Sequence, residues 1–154
     1  MITTTITEEK ALQGFGTGVD CSQAVFGELA PSLGLDRETA MKIAAPFGGG
    51  MWHGETCGCV AGALMAIGLK YGQGDQCNQE AKNHMLALKA QFEAAFSEKY
   101  GSCICKEILG YDLSTPEGME HVMQENLFGK VCCKAVVDAC RILQEMLNND
   151  QQAD

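Results

Sequence analysis

No two of the nine cysteines stand in a C-x-x-C spacing. That removes the thioredoxin-type dithiol, the usual zinc ribbon and the C-x-x-C-H haem attachment site. The C-x-x-C-x-x-C run of bacterial ferredoxins is missing as well. Basic residues are scarce: eleven Lys and Arg against twenty Asp and Glu leave a net charge of −9. Without a Lys/Arg-rich run, nothing attracts a phosphate backbone or an anionic lipid surface, so neither nucleic acid nor membrane is an expected partner. Histidine is limited to His53, His84 and His121, which form no ligand spacing with one another. Long hydrophobic runs are absent too. The longest, Val60 to Leu69, is about half of what a membrane span requires. Met1 to Lys10 is polar, with no basic segment leading into an apolar one, so no secretory signal is expected. The expected setting is the cytoplasm, where thiols stay reduced, and an odd cysteine count does not fit a fully paired disulfide framework.

The 154 residues suffice for one domain, 1–154, with its own core. Hydrophobic periodicity reads as helix after helix. A short helix is expected over Ile6–Gly14 and a better one over Cys21–Leu33, and Asp36 can cap a third that runs to about Ala45. A helix from near Glu55 to Tyr71 is apolar or small almost all round, which marks it as the buried central helix. The longest helix, Asp75–Tyr100, carries Met85, Leu88, Phe92 and Phe96 on one stripe. Thr115-Pro116-Glu117 is a helix start, and the last helix spans about Lys130–Leu147. No alternating β-branched segment competes. The expected fold is all-α, a single-domain multi-helix bundle around a Gly/Ala-rich central helix.

Gly49-Gly50-Met51-Trp52-His53-Gly54-Glu55-Thr56 comes near a P-loop, but Glu55 stands where the phosphate-binding Lys belongs. Glu55 reads better as a charge at the start of the central helix, and His53 as an exposed loop residue. The cysteine layout carries more. Cys21, Cys57, Cys105 and Cys132 each fall at or near an expected helix start. Free N–H groups and the positive dipole end lower a thiol's pKa there. Four such starts could hold four thiolates around an iron–sulfur cluster or a metal ion, or could poise a reactive thiol pair. Cys77 and Cys140 read as small core hydrophobes. Cys59, Cys103 and Cys133, each one or two residues from one of the four, form a second tier. Residues two apart on a helix point about 200° apart, so Cys59 joins Cys57 at one centre only if Cys57 lies outside the helix proper.

Cys57-Gly58-Cys59-Val60-Ala61-Gly62 resembles the C-G-A-x-x-G element of the redox-active family named C_GCAxxG_C_C. Cys21-Ser-Gln-Ala-Val, Phe47-Gly-Gly-Gly-Met51 and Gly68-Leu-Lys-Tyr-Gly72 resemble its first cysteine segment, its glycine loop and the end of its central helix. Gly101-Ser-Cys-Ile-Cys105-Lys-Glu-Ile-Leu-Gly110 fits G-S-x-x-C-x-x-L-L-G and selects Cys105 over Cys103. Cys132-Cys-Lys-Ala-Val136-Val-Asp-Ala139 fits C-x-x-x-V-x-D-A and selects Cys132 over Cys133. This chain departs from the pattern where Cys59 replaces the motif's Ala, and in its additional cysteines. The resemblance implies a four-cysteine redox site made of Cys21, Cys57, Cys105 and Cys132. Related domains occur in the split-Soret type of cytochrome c, where an iron–sulfur site has been proposed.

The leading expectation is an iron–sulfur cluster bound by those four thiolates, with electrons passed to a redox partner protein; no clear substrate-turnover site is seen, and whether the chain is an enzyme is left open. A thiol–disulfide enzyme is the second, with a cysteine such as Cys57 attacking and Cys105 or Cys132 resolving. A soft-metal binding protein is the third. Self-association as a homodimer is left open.

Overall fold

A computed structural model describes residues 1–150, of which 75% are helical. Among the described residues there is no strand; the one β feature is an isolated antiparallel bridge between Thr56 and Ile104. The helices are α1 (Glu8–Gly16), α2 (Cys21–Leu29), α3 (Arg37–Ala44), α4 (Gly58–Tyr71), α5 (Gln79–Tyr100), α6 (Cys105–Leu109), α7 (Pro116–Gln124) and α8 (Cys133–Asn148). A 3₁₀ turn, Ala30–Leu33, extends α2 as far as expected, the change of pitch falling at Pro31.

Caps lie where the sequence places them. Asp36 accepts from the Thr39 N–H at 2.9 Å, and the Thr115 hydroxyl accepts from Gly118 N–H at 3.0 Å ahead of Pro116. The long helix begins later than expected, at Gln79, because the Asn78 side chain accepts from the N–H groups of Glu80 and Ala81 and ends the preceding loop. Cys77 therefore lies outside the helix and is exposed, which corrects its reading as a core residue.

The Gly/Ala-rich helix is central, as its composition requires. On α4, Val60, Ala63, Ala66 and Ile67 are buried, with α2 packed on one side and α5 and α8 on the others. The α2–α4 crossing is close: a Cβ on Gly62 would stand 2.8 Å from the Ser22 carbonyl oxygen. Around this pair the core gathers Val25, Leu29, Phe92, Phe96, Val136 and Leu143, each contributing roughly 1.5–3 kcal/mol by burial. A second, smaller cluster joins Cys105, Leu109, Leu113 and Val122 under α6 and α7. No helix among the described residues is long and apolar enough to cross a membrane.

Candidate redox site

The central helix starts at Gly58, not at Glu55. Before it, Gly49, Gly50, Met51 and Trp52 run through the left-handed region with φ of 56°, 65°, 64° and 55°. Glycine adopts this freely, whereas Met51 and Trp52 each incur about 1–2 kcal/mol. Glu55 thus sits outside the helix, its carboxylate 3.9 Å from the Lys106 ammonium and its carbonyl accepting from Cys105 N–H at 2.6 Å. Next to it the Cys57 N–H donates to the Cys103 carbonyl at 2.7 Å. These bonds flank the Thr56–Ile104 bridge and fasten the segment before α4 to the segment before α6. His53 is exposed, as expected, but lies in the one-turn π segment Gly50–Gly54 and not in an open loop.

Cys57 is the N-cap of α4, with extended φ/ψ of −52° and 135°. It lies outside the helix proper, which meets the condition for Cys59 to face the same space. Cys21 opens α2 behind a capping box formed by Asp20 and Gln23. Gly58 allows the two helix starts to meet, for a Cβ there would collide with the Cys21 sulfur. Cys105 opens α6. Cys132 differs from its expected place: it is the last residue of a π turn, Phe128–Cys132, and has helical φ/ψ of −66° and −41°, so it lies within a continuous helical stretch.

All four of these cysteines, and Cys59, line one cavity of about 460 Å³. Its remaining wall is mostly apolar and comes from α1, the α6–α7 region and the start of α8, with Asp20 and Asn126 as the polar exceptions. Cys77, Cys103, Cys133 and Cys140 are not in that wall. Cys103 turns to α5, donating to the Glu93 carbonyl at 3.5 Å with the Ser97 hydroxyl at 3.3 Å. Cys133 donates back to the Gly129 carbonyl at 2.9 Å, and Cys140 is buried in the main core, as expected.

Acidities vary around the cavity. Hydrogen bonding from Cys59, helped by the Gly49 and Ser22 N–H groups, outweighs burial and holds the Cys21 thiol below its ordinary value. Cys59 is correspondingly pushed well up through its bonds to Cys21 and Cys57 and by burial. Burial raises Cys105 to about 12 and Cys132 further still. Helix starts are expected to lower these thiols; Cys21 is lowered, but chiefly by the neighbouring Cys59 thiol, and Cys105 and Cys132 are raised. α6 is a single short turn whose dipole is weak against desolvation, and Cys132 has no free helix end beneath it.

Among the described residues no three His, Cys, Asp or Glu side chains are grouped closely enough to hold one metal ion. Cys59 is hydrogen-bonded to both Cys21 and Cys57, and Cys105 and Cys132 line the same cavity. The sequence flagged the four through their motif spacing; it carried no sign of the apolar wall, which comes from residues distant in the chain.

An all-helical fold whose motif cysteines face a single cavity defines a class of cysteine-based helical protein. The family model described as "Putative redox-active protein (C_GCAxxG_C_C)" matches residues 19–146, and the chain belongs to that family. No curated protein and no solved structure matches it.

Proposed function

We propose that this chain is an electron carrier in which Cys21, Cys57, Cys105 and Cys132 bind an iron–sulfur cluster that exchanges electrons with a partner protein. The observation that carries this reading is the sorting of the cysteines: four separate segments each turn one thiol into the same cavity, while four of the other five cysteines lie elsewhere. The donor set fits the group. Cysteine thiolates are the usual ligands of such clusters, and a mostly apolar wall is the kind of surrounding that sets their potential. When bound, the cluster supplies one-electron chemistry. The protein's own part is to hold the sulfurs, keep water out and, at Cys59, place a protonated thiol beside the sulfurs of Cys21 and Cys57.

The test is anaerobic purification and reconstitution with iron and sulfide, followed by iron, sulfide and visible-absorption analysis of single Cys→Ser variants. Iron per folded protein should collapse for Cys21, Cys57, Cys105 and Cys132, and persist for Cys77, Cys103, Cys133 and Cys140. Uniform iron content across all eight variants would sink the reading.

One observation favours a second reading. Cys21 is held low beside the Cys59 thiol, an arrangement suited to disulfide exchange. The Cys21 thiolate would attack a substrate disulfide and expel one thiol. Cys59 would then attack the Cys21 sulfur, closing a disulfide as the second substrate thiol leaves with both electrons. A Cys21–Cys59 disulfide in mass spectra of oxidised, iron-free protein would bring this reading to the front.

A further inference from the structure

The cavity is larger and more apolar than a set of thiols requires. Its 460 Å³ lies inside the roughly 300–1,000 Å³ range of small-molecule pockets. The cysteines occupy part of the wall. Much of the rest is made by Phe15, Ile108, Leu109, Leu113, Val122 and Phe128. Buried Leu109, Leu113 and Val122 mark the inner end; exposed Leu12, Trp52 and Met123, at 44%, 42% and 63%, mark the mouth. Large apolar side chains of that exposure are few among the described residues, and three of them meet at this rim. A contiguous apolar rim around an apolar cavity is a signature of binding rather than of solubility.

The backbone marks the same place. Among the described residues, the non-glycine positions with positive φ are Met51, Trp52 and Asn126. Trp52 and Asn126 line the cavity and Met51 precedes Trp52. Conformational strain of this kind persists where surrounding structure enforces it, commonly at ligand sites. Here it fixes an aromatic plane at the mouth: the Trp52 indole packs on Gly49, where a Cβ would come within 2.6 Å of the ring. The charge pattern selects further. Asp20 lies in the wall and the chain carries −9 overall, so an anion is repelled, while no Lys or Arg in the wall offers it a partner.

We infer that the cavity binds a neutral, largely apolar, ring-bearing small molecule, seated against Trp52 at the mouth and reaching toward the cysteines. Asn126 supplies the amide able to satisfy a single polar substituent. The binding depends on the apolar half of the cavity alone. Only its role as a small-molecule partner of the cysteines rests on the redox reading.

The experiment is calorimetric titration of the anaerobically purified protein with 2-naphthol and with naphthalene-2-sulfonate, which share a ring system and differ in charge. The neutral probe should bind, and the sulfonate should bind at least tenfold more weakly. The double variant L12E/M123E changes two exposed side chains and so leaves the fold intact; it should weaken 2-naphthol binding at least tenfold. Trp52 is the sole tryptophan, so its emission should change on binding. No heat with 2-naphthol, equal affinity for the sulfonate, or unchanged affinity in the double variant would each overturn the assignment. Iron and sulfide assays on the same preparation, after reconstitution with iron and sulfide, keep the two readings apart. Binding of 2-naphthol without iron supports the pocket and removes the cluster, and iron without binding removes the pocket.

Discussion

Cys132 and Cys133 are adjacent, and Cys103 and Cys105 are two residues apart, yet within each pair the two sulfurs serve different environments. Adjacent residues on a helix point about 100° apart, so when Cys132 faces the cavity, Cys133 faces back along the turn and donates to the Gly129 carbonyl. Cys105 looks into the cavity from the first residue of α6, while Cys103 is bound to α5 through Ser97 and Glu93. In both pairs the sulfur turned away from the cavity has its hydrogen bond satisfied locally. Those at the cavity have burial raised against them, or a second thiol beside them. The pair Cys57 and Cys59 is the exception: both reach the cavity, because Cys57 is extended and Cys59 is helical. Cysteine number therefore says little here about ligand number. Local backbone geometry decides which sulfurs share a space.

The sharpest way to break the contrast is to press on the contact that brings two cavity cysteines together. A side chain at Gly58 lands on the Cys21 sulfur and on the Ser22 N–H and Phe47 carbonyl behind it, about 3 Å away. Gly58→Val should cost about 3 kcal/mol through overpacking and abolish iron binding as well. Further along the same helix, a methyl group at Gly68 would meet nothing within 4 Å. Gly68→Ala should stabilise by about 0.5–1 kcal/mol and leave iron content unchanged. Urea denaturation of the two variants gives opposite signs if α4 is tight only at its cysteine end; equal effects would show that close packing is not confined there.

A smaller effect sharpens the same comparison. Cys140 is fully buried among apolar side chains. Cys140→Ser places a hydroxyl in that core at about 2 kcal/mol, lowering the thermal midpoint by several degrees with iron retained. Cys105→Ser also buries a hydroxyl among apolar neighbours and should destabilise the metal-free protein comparably, but with iron lost. Calorimetry paired with iron analysis reads both, and matching iron content of the two variants would erase the distinction between core and cavity thiols.

Much of the helical frame was legible because it follows from local rules: the caps at Asp36 and Thr115, the stripe of Leu88, Phe92 and Phe96, and the small-residue run of α4. The motif cysteines were legible through spacing. What escaped depends on pairings distant in sequence. The late start of α4 arises from a left-handed turn and from bonds to the Cys103–Cys105 segment, neither of which a hydrophobic pattern encodes. The π turn before α8, which takes Cys132 away from a free helix end, also left no periodic sign. The cavity's wall needs α1 and α7 to approach the cysteines, and amphipathic periodicity says which face is apolar but not what it faces.

The smallest expected effect tests whether the cavity is dry. In the metal-free fold, burial pushes Cys105 up to about 12 from 9.0. Below pH 9 the thiol is neutral in both folded and unfolded chains, and its contribution to stability is fully present. As pH rises past 9 the unfolded chain releases the proton and the fold does not, so that contribution drains away until about pH 12. Cys21 has the opposite sign: its folded value lies below 9.0, so its contribution grows as pH rises toward 9 and then stays level. Above pH 9 the raised thiols therefore govern the slope. Between pH 9 and 10, Cys105 accounts for about 1 kcal/mol of lost stability, and Cys105→Ala should flatten the curve by that amount in denaturation experiments on metal-free protein. Parallel curves for parent and variant would mean that Cys105 ionises as readily in the fold as in the open chain. The cavity would then be wet, and both a cluster site shielded from water and an apolar ligand pocket would lose their physical basis.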